Sequence, residues 1–320
     1  MKAIQVNQHG GPEVLTLAEV PRPEPGPGQV LVEIAAAGVN FIDVYHRTGL
    51  YPVPLPLVPG GEGAGRVVAV GPGVADGLVG RRIVSTALSG GYAQYALAPA
   101  EQVVPVPETL SDEVAAAVFL QGLTAHYLTH DSYHVQPGDT VLVHAAAGGV
   151  GLLLTQIASR MGARVIGAVS TPEKEKLASG AGAAHVIGYD SVPEQVRRLT
   201  GGQGVPAVYD GVGQATFEGS LASLRVRGIM VLYGQSSGPV PPFDLGRLAR
   251  GGSLSITRPT LAHFVATRDE LTRRAGDVLG WVADGTLSVH IGGRYPLAEA
   301  ATAHADLQAR RTTGKLLLIP

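Results

Sequence analysis

The sequence predicts an α/β protein whose second half is a parallel, doubly wound sheet, and three observations carry that prediction. An apolar run, 141–144, enters a glycine-rich turn and leaves as an apolar, proline-free segment over 152–161. From Thr124 onward, further strand-like runs alternate with helical stretches, the order a parallel sheet demands. Before Ser111, by contrast, short strands and turns dominate, so a β-rich front is expected ahead of the sheet.

In the turn Ala145-Ala146-Ala147-Gly148-Gly149-Val150-Gly151, Gly148 suits a tight bend, Gly149 lets backbone approach a ligand, and Gly151 lets helix pack on strand. The N–H groups and positive dipole end of the helix would face an anion, best matched by a dinucleotide pyrophosphate. The pattern is Ala-x-Gly-x-x-Gly, which also suits a buried strand-to-helix connection with no ligand. Gln136-Pro137-Gly138-Asp139 supplies a turn before the first strand, and 164–169 reads as the second, completing a βαβ unit. Runs at 185–187, 207–210, 229–233 and 253–257 follow, and six strands with intervening helices make a complete Rossmann sheet. Residues 261–284 and 297–310 read as helical and 315–319 as a closing strand. In the front part, 1–6, 30–35 and 65–70 read as strands, 21–27 as a proline-rich connector, and Ser111-Asp112-Glu113 as the start of an Ala-rich helix.

The chain has 320 residues, enough for two domains, and with 45% hydrophobic residues and net charge −2 it is globular and not disordered. No basic excess points to nucleic acid, and no apolar run approaches a membrane span. The opening reads as a strand and not a signal peptide, so a cytoplasmic location is expected. With no cysteine, thiolate nucleophiles, disulfides and Cys-based metal sites are excluded together.

This arrangement resembles the medium-chain dehydrogenase/reductase superfamily, and within it the zinc-independent NADPH:quinone oxidoreductases. The resemblance rests on Ala36-Ala37-Gly38-Val39-Asn40-Phe41-Ile42-Asp43-Val44-Tyr45, Pro59-Gly60-Gly61-Glu62-Gly63-Ala64-Gly65, Gly122-Leu123-Thr124-Ala125 and the glycine turn. It implies a GroES-like catalytic domain over 1–123, an NADP-binding Rossmann domain over 124–258, and a return to the catalytic domain over 259–320. Zinc alcohol dehydrogenases of this fold have cysteine where this chain has Asn40 and histidine where it has Gly61, and neither residue here can ligate Zn²⁺. A substrate that accepts hydride without a Lewis acid is therefore expected: a quinone, or a C=C bond conjugated to a carbonyl.

An NAD-specific sheet usually ends its second strand in an acid, whereas Val169-Ser170-Thr171-Pro172-Glu173-Lys174 offers hydroxyls and a lysine, which suit a 2′-phosphate. The resemblance assigns the phosphate to Lys174 with Tyr189 beside it; Lys176 reads as solvated, and Glu173 argues for some acceptance of NADH. Cofactor contacts are expected from Ala147, Gly148, Gly149, Val150, Gly151 and Ser170. By resemblance, Tyr233 and Ser236 cover the cofactor, and Arg258 and Arg311 are phosphate contacts, with exposed ion pairing as the alternative. By the same resemblance Asn40, Asp43, Tyr45, Tyr51 and Thr124 form the reaction site, Tyr45 being the candidate proton donor and Leu120 and Gln121 shaping the pocket. Asn40 and Asp43 equally suit a brace for the turn after the strand.

Gly234-Gln235-Ser236-Ser237-Gly238 matches the nucleophile elbow formally, but prolines at 239, 241 and 242 deny it the helix that motif needs. The ten histidines show no metal spacing; His126, His130 and His185 read as surface or satisfied core residues. The resemblance implies a homodimer through the edge strand near Gly252–Ile256, since such an edge needs cover. The expected activity is metal-free hydride transfer from NADPH to a quinone in an interdomain cleft. An enoyl or alkenal reductase and a non-catalytic dinucleotide-binding protein are the alternatives.

Overall fold

The computed structural model describes residues 1–320, which divide into two units: Met1–Leu120 with Thr267–Pro320, and Gln121–Ala266. In the first unit β1 (Lys2–Gln5) and β2 (Thr16–Glu19) form an antiparallel pair. β3 (Gln29–Val39) is the long central strand; it is buried at Val30–Val32 and again at Ala36–Val39, and alternates only in between, where Glu33 and Ala35 are exposed on either side of buried Ile34. Helix α1 (Phe41–Thr48) leaves it at once, followed by β4 (Gly63–Val70), β5 (Arg82–Ser85), β6 (Tyr95–Pro99) and β7 (Val104–Pro105). Helix α2 (Asp112–Tyr127) begins at the expected acidic start and crosses the division between the units.

The second unit alternates as its sequence demands: β8 (Thr140–His144), α3 (Gly149–Arg160), β9 (Arg164–Ala168), α4 (Pro172–Gly180), β10 (His185–Ile187), α5 (Val192–Leu199), β11 (Val205–Asp210), α6 (Phe217–Ser223), β12 (Leu224–Leu232), α7 (Gly246–Arg250) and β13 (Ser255–Thr257). All six strands are parallel, in the order β10-β9-β8-β11-β12-β13. The order reverses between β8 and β11, and ligands bind such sheets at the carboxyl ends beside that switch point. Leu142, Ile166, Val208 and Met230 are buried within one core cluster, which is why these strands read as continuous apolar runs.

The chain then returns to the first unit through α8 (Arg268–Ala283), β14 (Ile291–Pro296), α9 (Ala300–Gln308) and β15 (Lys315–Ile319). β15 pairs with β3 and β14 pairs with β15, giving a seven-stranded sheet ordered β14-β15-β3-β4-β5-β7 with β6 also on β3. The helical expectation over 261–284 resolves into a short turn at Leu261–His263 and then α8, which Thr267 caps by accepting the Glu270 N–H at 3.2 Å. No helix is long and apolar enough to cross a membrane.

Candidate active site

In the second unit, β8 ends at His144 and the turn begins with Ala145 in the left-handed region, at φ 49°, an unfavourable conformation for a residue with a Cβ. The Tyr189 hydroxyl holds it there, accepting the Ala145 N–H at 2.9 Å. Gly148 caps α3, whose first turn carries no acidic side chain to compete with an anionic ligand. A Cβ on Gly151 would collide with the Ala145 carbonyl oxygen and stand 2.8 Å from Ala146 Cα, so only glycine lets α3 press on the turn. Ala147 is buried against this junction, while Gly148, Gly149 and Val150 stay partly accessible.

At the end of β9, Thr171 caps α4 by accepting the Lys174 N–H, and the Lys174 ammonium lies 3.4 Å from the Ser170 hydroxyl. No acid occupies the strand end, so this corner suits an anion such as a phosphate. Glu173 lies close by: its own N–H and the Thr171 hydroxyl hold its carboxyl below the usual range. Tyr189, expected at the phosphate, has its hydroxyl on the glycine turn. Tyr233 is half-buried overall, desolvation of its phenol pushes the pKa up, and a Cβ on Gly211 would meet its ring at 2.8 Å. Ser236 donates its N–H to Gly211 O at 3.2 Å, and no helix follows before α7, so the local geometry is not that of a nucleophile elbow. Arg258 donates to Leu232 O at 3.1 Å, and Thr124 is buried on α2.

In the first unit, Asn40 follows β3 directly and caps α1, its N–H donating to Asp43 Oδ2 at 3.0 Å. Its amide is oriented without ambiguity, because Lys315 can only donate: Nζ lies 2.7 Å from Asn40 Oδ1 and 2.5 Å from Glu62 Oε2. Asn40 Nδ2 then donates to Glu62 Oε2 at 3.0 Å and Gly38 O at 3.3 Å, while Glu62 Oε1 accepts the Leu120 N–H at 2.6 Å. Burial pushes the Lys315 pKa down and Glu62 opposes it. This cluster does not fit the zinc of related dehydrogenases. An amide and a glycine stand at two ligand positions, and a buried ammonium takes the one carboxylate.

The Tyr45 and Tyr51 rings are inclined at 60° with centroids 5.2 Å apart, and the Phe41 ring lies 6.3 Å from that of Tyr45. The structure thus brings together Asn40 with Asp43 and Tyr45 with Tyr51. Arg311 belongs to this unit too, in an exposed ion pair with Asp306 at 2.6 Å.

Sequence reasoning missed the buried chain behind α1. Arg47 can only donate, to His304 Nδ1 at 3.1 Å, so His304 carries its proton on Nε2 and gives it to Tyr92 Oη at 3.0 Å; Tyr92 in turn donates to Asp43 Oδ2 at 3.0 Å. The one available signal was Asn40-x-x-Asp43, a helix-start pattern that predicts α1.

Desolvation raises Asp43 from 3.8 to about 6 and lowers His304 from 6.5 to about 3. The folded protein binds the Asp43 proton more tightly than the unfolded chain, so this contribution is full below pH 3.8 and is lost as pH rises through about 6. For His304 the unfolded chain binds the proton more tightly, so stability is full above 6.5 and falls toward pH 3. Between 3.8 and about 6 the two slopes oppose each other. Asp43→Asn, which keeps an acceptor for Tyr92, should therefore lose Tm more steeply on acidification than the parent; parallel Tm-against-pH curves would refute the opposition.

The zinc-binding dehydrogenase family matches residues 149–273, and the alcohol dehydrogenase GroES-like domain family matches 26–108. A quinone oxidoreductase of Pseudomonas aeruginosa is 45% identical over 323 residues, covering 100% of this chain and 99% of that one. A 2-haloacrylate reductase of a Burkholderia species is 43% identical, covering 99% of this chain and 98% of its own. A solved mycobacterial structure complexed with NADPH is 51% identical, with a TM-score of 0.98 and full coverage of both chains. Agreement of this extent, over both units and the turn that joins strand to helix, shows that the chain belongs to the quinone oxidoreductase family of the medium-chain dehydrogenase/reductase enzymes.

Proposed function

We propose that this enzyme transfers hydride from NADPH to a quinone without a metal. The observation that carries the reading is the Lys315 ammonium lodged between Asn40 and Glu62, where zinc chemistry would need free ligands. The acceptor must then delocalise incoming charge by itself, as a quinone does. NADPH when bound supplies the hydride; the protein supplies position. The Gly148–Gly151 turn and α3 receive the pyrophosphate, and Ser170 and Lys174 receive the 2′-phosphate. Tyr45 and Tyr51 offer aromatic faces to a planar acceptor, and the Tyr45 phenol holds a proton for the reduced oxygen. Thr124 orients the nicotinamide end, Tyr233 and Ser236 cover the cofactor, and Arg258 and Arg311 steer its phosphates.

The test is NADPH oxidation, followed by absorbance with a chelator present, across a panel of quinones and enones. Turnover of quinones that survives the chelator supports the reading, and turnover of enones alone replaces it with C=C reduction. That second reading is favoured by the similarity to 2-haloacrylate reductase. Lys174→Ala should lower the NADPH:NADH ratio of kcat/KM by about tenfold, and Glu173→Gln should raise it, because one phosphate partner or one repelling charge is removed. An unchanged ratio in both variants would move the phosphate elsewhere.

A homodimer through the β13 edge belongs to the same proposal. Val226 and Leu245, 68% and 73% exposed, lie in the same unit, and an open parallel edge needs a partner. Sedimentation showing a monomer at every concentration would reject it.

A further inference from the structure

A second buried polar network, at the carboxyl ends of β8 and β11, has no part in the chemistry above. Asp210 ends β11, fully buried, with four donors on its carboxylate. Val212 N at 2.7 Å and Gly213 N at 3.0 Å meet Oδ1; Thr216 Oγ1 and Ser220 Oγ, each at 2.7 Å, meet Oδ2. Ser220 has one hydroxyl proton and gives it to Asp210, so its oxygen must accept from His144 Nε2 at 3.0 Å. Burial lowers the His144 pKa, keeping the ring neutral with its proton on Nε2.

Two loops hang on this network. His144 immediately precedes the strained Ala145, and its ring stacks 5.8 Å from that of Tyr189, the residue that holds the Ala145 N–H. On the other side, the two amides bound by Asp210 fold the segment from Gly211 to Thr216, where Gly213 has φ 89° and a Cβ would meet Gly238 O at 2.8 Å. That segment holds the next loop: Ser237 N donates to Val212 O at 2.8 Å, and Ala215 N to Ser237 Oγ at 2.9 Å.

We propose that Asp210 is a positioning residue for dinucleotide binding. Its carboxylate sets the glycine turn through Ser220 and His144, and sets the loop from Tyr233 to Gly238 through the turn at Gly211 to Thr216. The inference rests on the NADPH reading but not on the quinone. Its test is therefore a fluorescence titration of the full-length protein with NADPH and no acceptor present, so that a failed quinone assignment leaves the readout intact.

Asp210→Asn should raise the NADPH Kd by about tenfold. Ser220→Ala cuts only the arm to His144. It should raise Kd a few-fold and shift the His144 imidazole ¹⁵N signals away from the Nε2–H tautomer. Thr216→Ser, which keeps the hydroxyl, should bind like the parent, and Thr216→Val should bind more weakly. If Asp210→Asn does not fold, the Ser220 and Thr216 variants decide the matter. A folded Asp210→Asn that binds NADPH within about twofold of the parent overturns the proposal, as do unchanged His144 signals in Ser220→Ala or equal losses in Thr216→Ser and Thr216→Val.

Discussion

Alanine at position 151 should abolish dinucleotide binding. The added methyl would strike the Ala145 carbonyl and stand 2.8 and 2.9 Å from Ala146 Cα and C, all backbone atoms that cannot rotate away. Either α3 lifts from β8 or the turn moves, and both displace the N–H groups that would hold the pyrophosphate. Overpacking of this kind costs about 1–3 kcal/mol in stability, and the displaced cradle should weaken NADPH at least about 100-fold. Titration of Gly151→Ala checks the affinity and its Tm checks the fold. Binding within about threefold of the parent would mean that the turn tolerates the displacement and that the anion sits elsewhere.

The second large effect is expected at Lys315. Lys315→Met leaves the Glu62 carboxylate buried with no cation beside it, also near Asp43, and should destabilise the protein by about 3–5 kcal/mol. Adding Glu62→Gln should recover most of that loss, since the amide still accepts the Leu120 N–H without carrying charge. Denaturant midpoints of the parent, both single variants and the double variant form the cycle. A single lysine substitution costing less than about 1 kcal/mol would show that water reaches Glu62 and that the pair does not order Asn40.

The parts legible in the sequence were those governed by local sterics and period. The glycine turn could be read because Gly151 has a purely steric duty, and the strands of the parallel sheet because residues such as Val141 and Val208 are buried on both faces. β14 escaped notice because Ile291-Gly292-Gly293-Arg294-Tyr295-Pro296 alternates only between half-buried and exposed residues, with two glycines in its middle. Helix α1 follows β3 so abruptly that Asn40 and Asp43 suggested a turn, although together they form the start of a helix. Polar partners were the least legible. Lys315 meets Asn40 across 275 positions, and His144 meets Ser220 across 76, so neither spacing appears in any window of the chain. Asp210 and His144 looked like strand-end residues because their partners are brought in by the sheet order and not by sequence proximity.

The pairing of β15 with β3 also bears on the order in which the protein can assemble. Every strand of the six-stranded sheet lies between positions 140 and 257, so its hydrogen bonds can all close while later residues are still being added by the ribosome. The other sheet stays open at β3 until positions 315–319 have been synthesised, and with it the cluster of Asn40, Glu62 and Lys315. Over that interval only residues 37–39 of β3 lack a neighbour on the edge that β6 covers at 29–33. During synthesis the half that would hold the cofactor can be complete while the half expected to hold the acceptor still exposes a strand edge that invites aggregation.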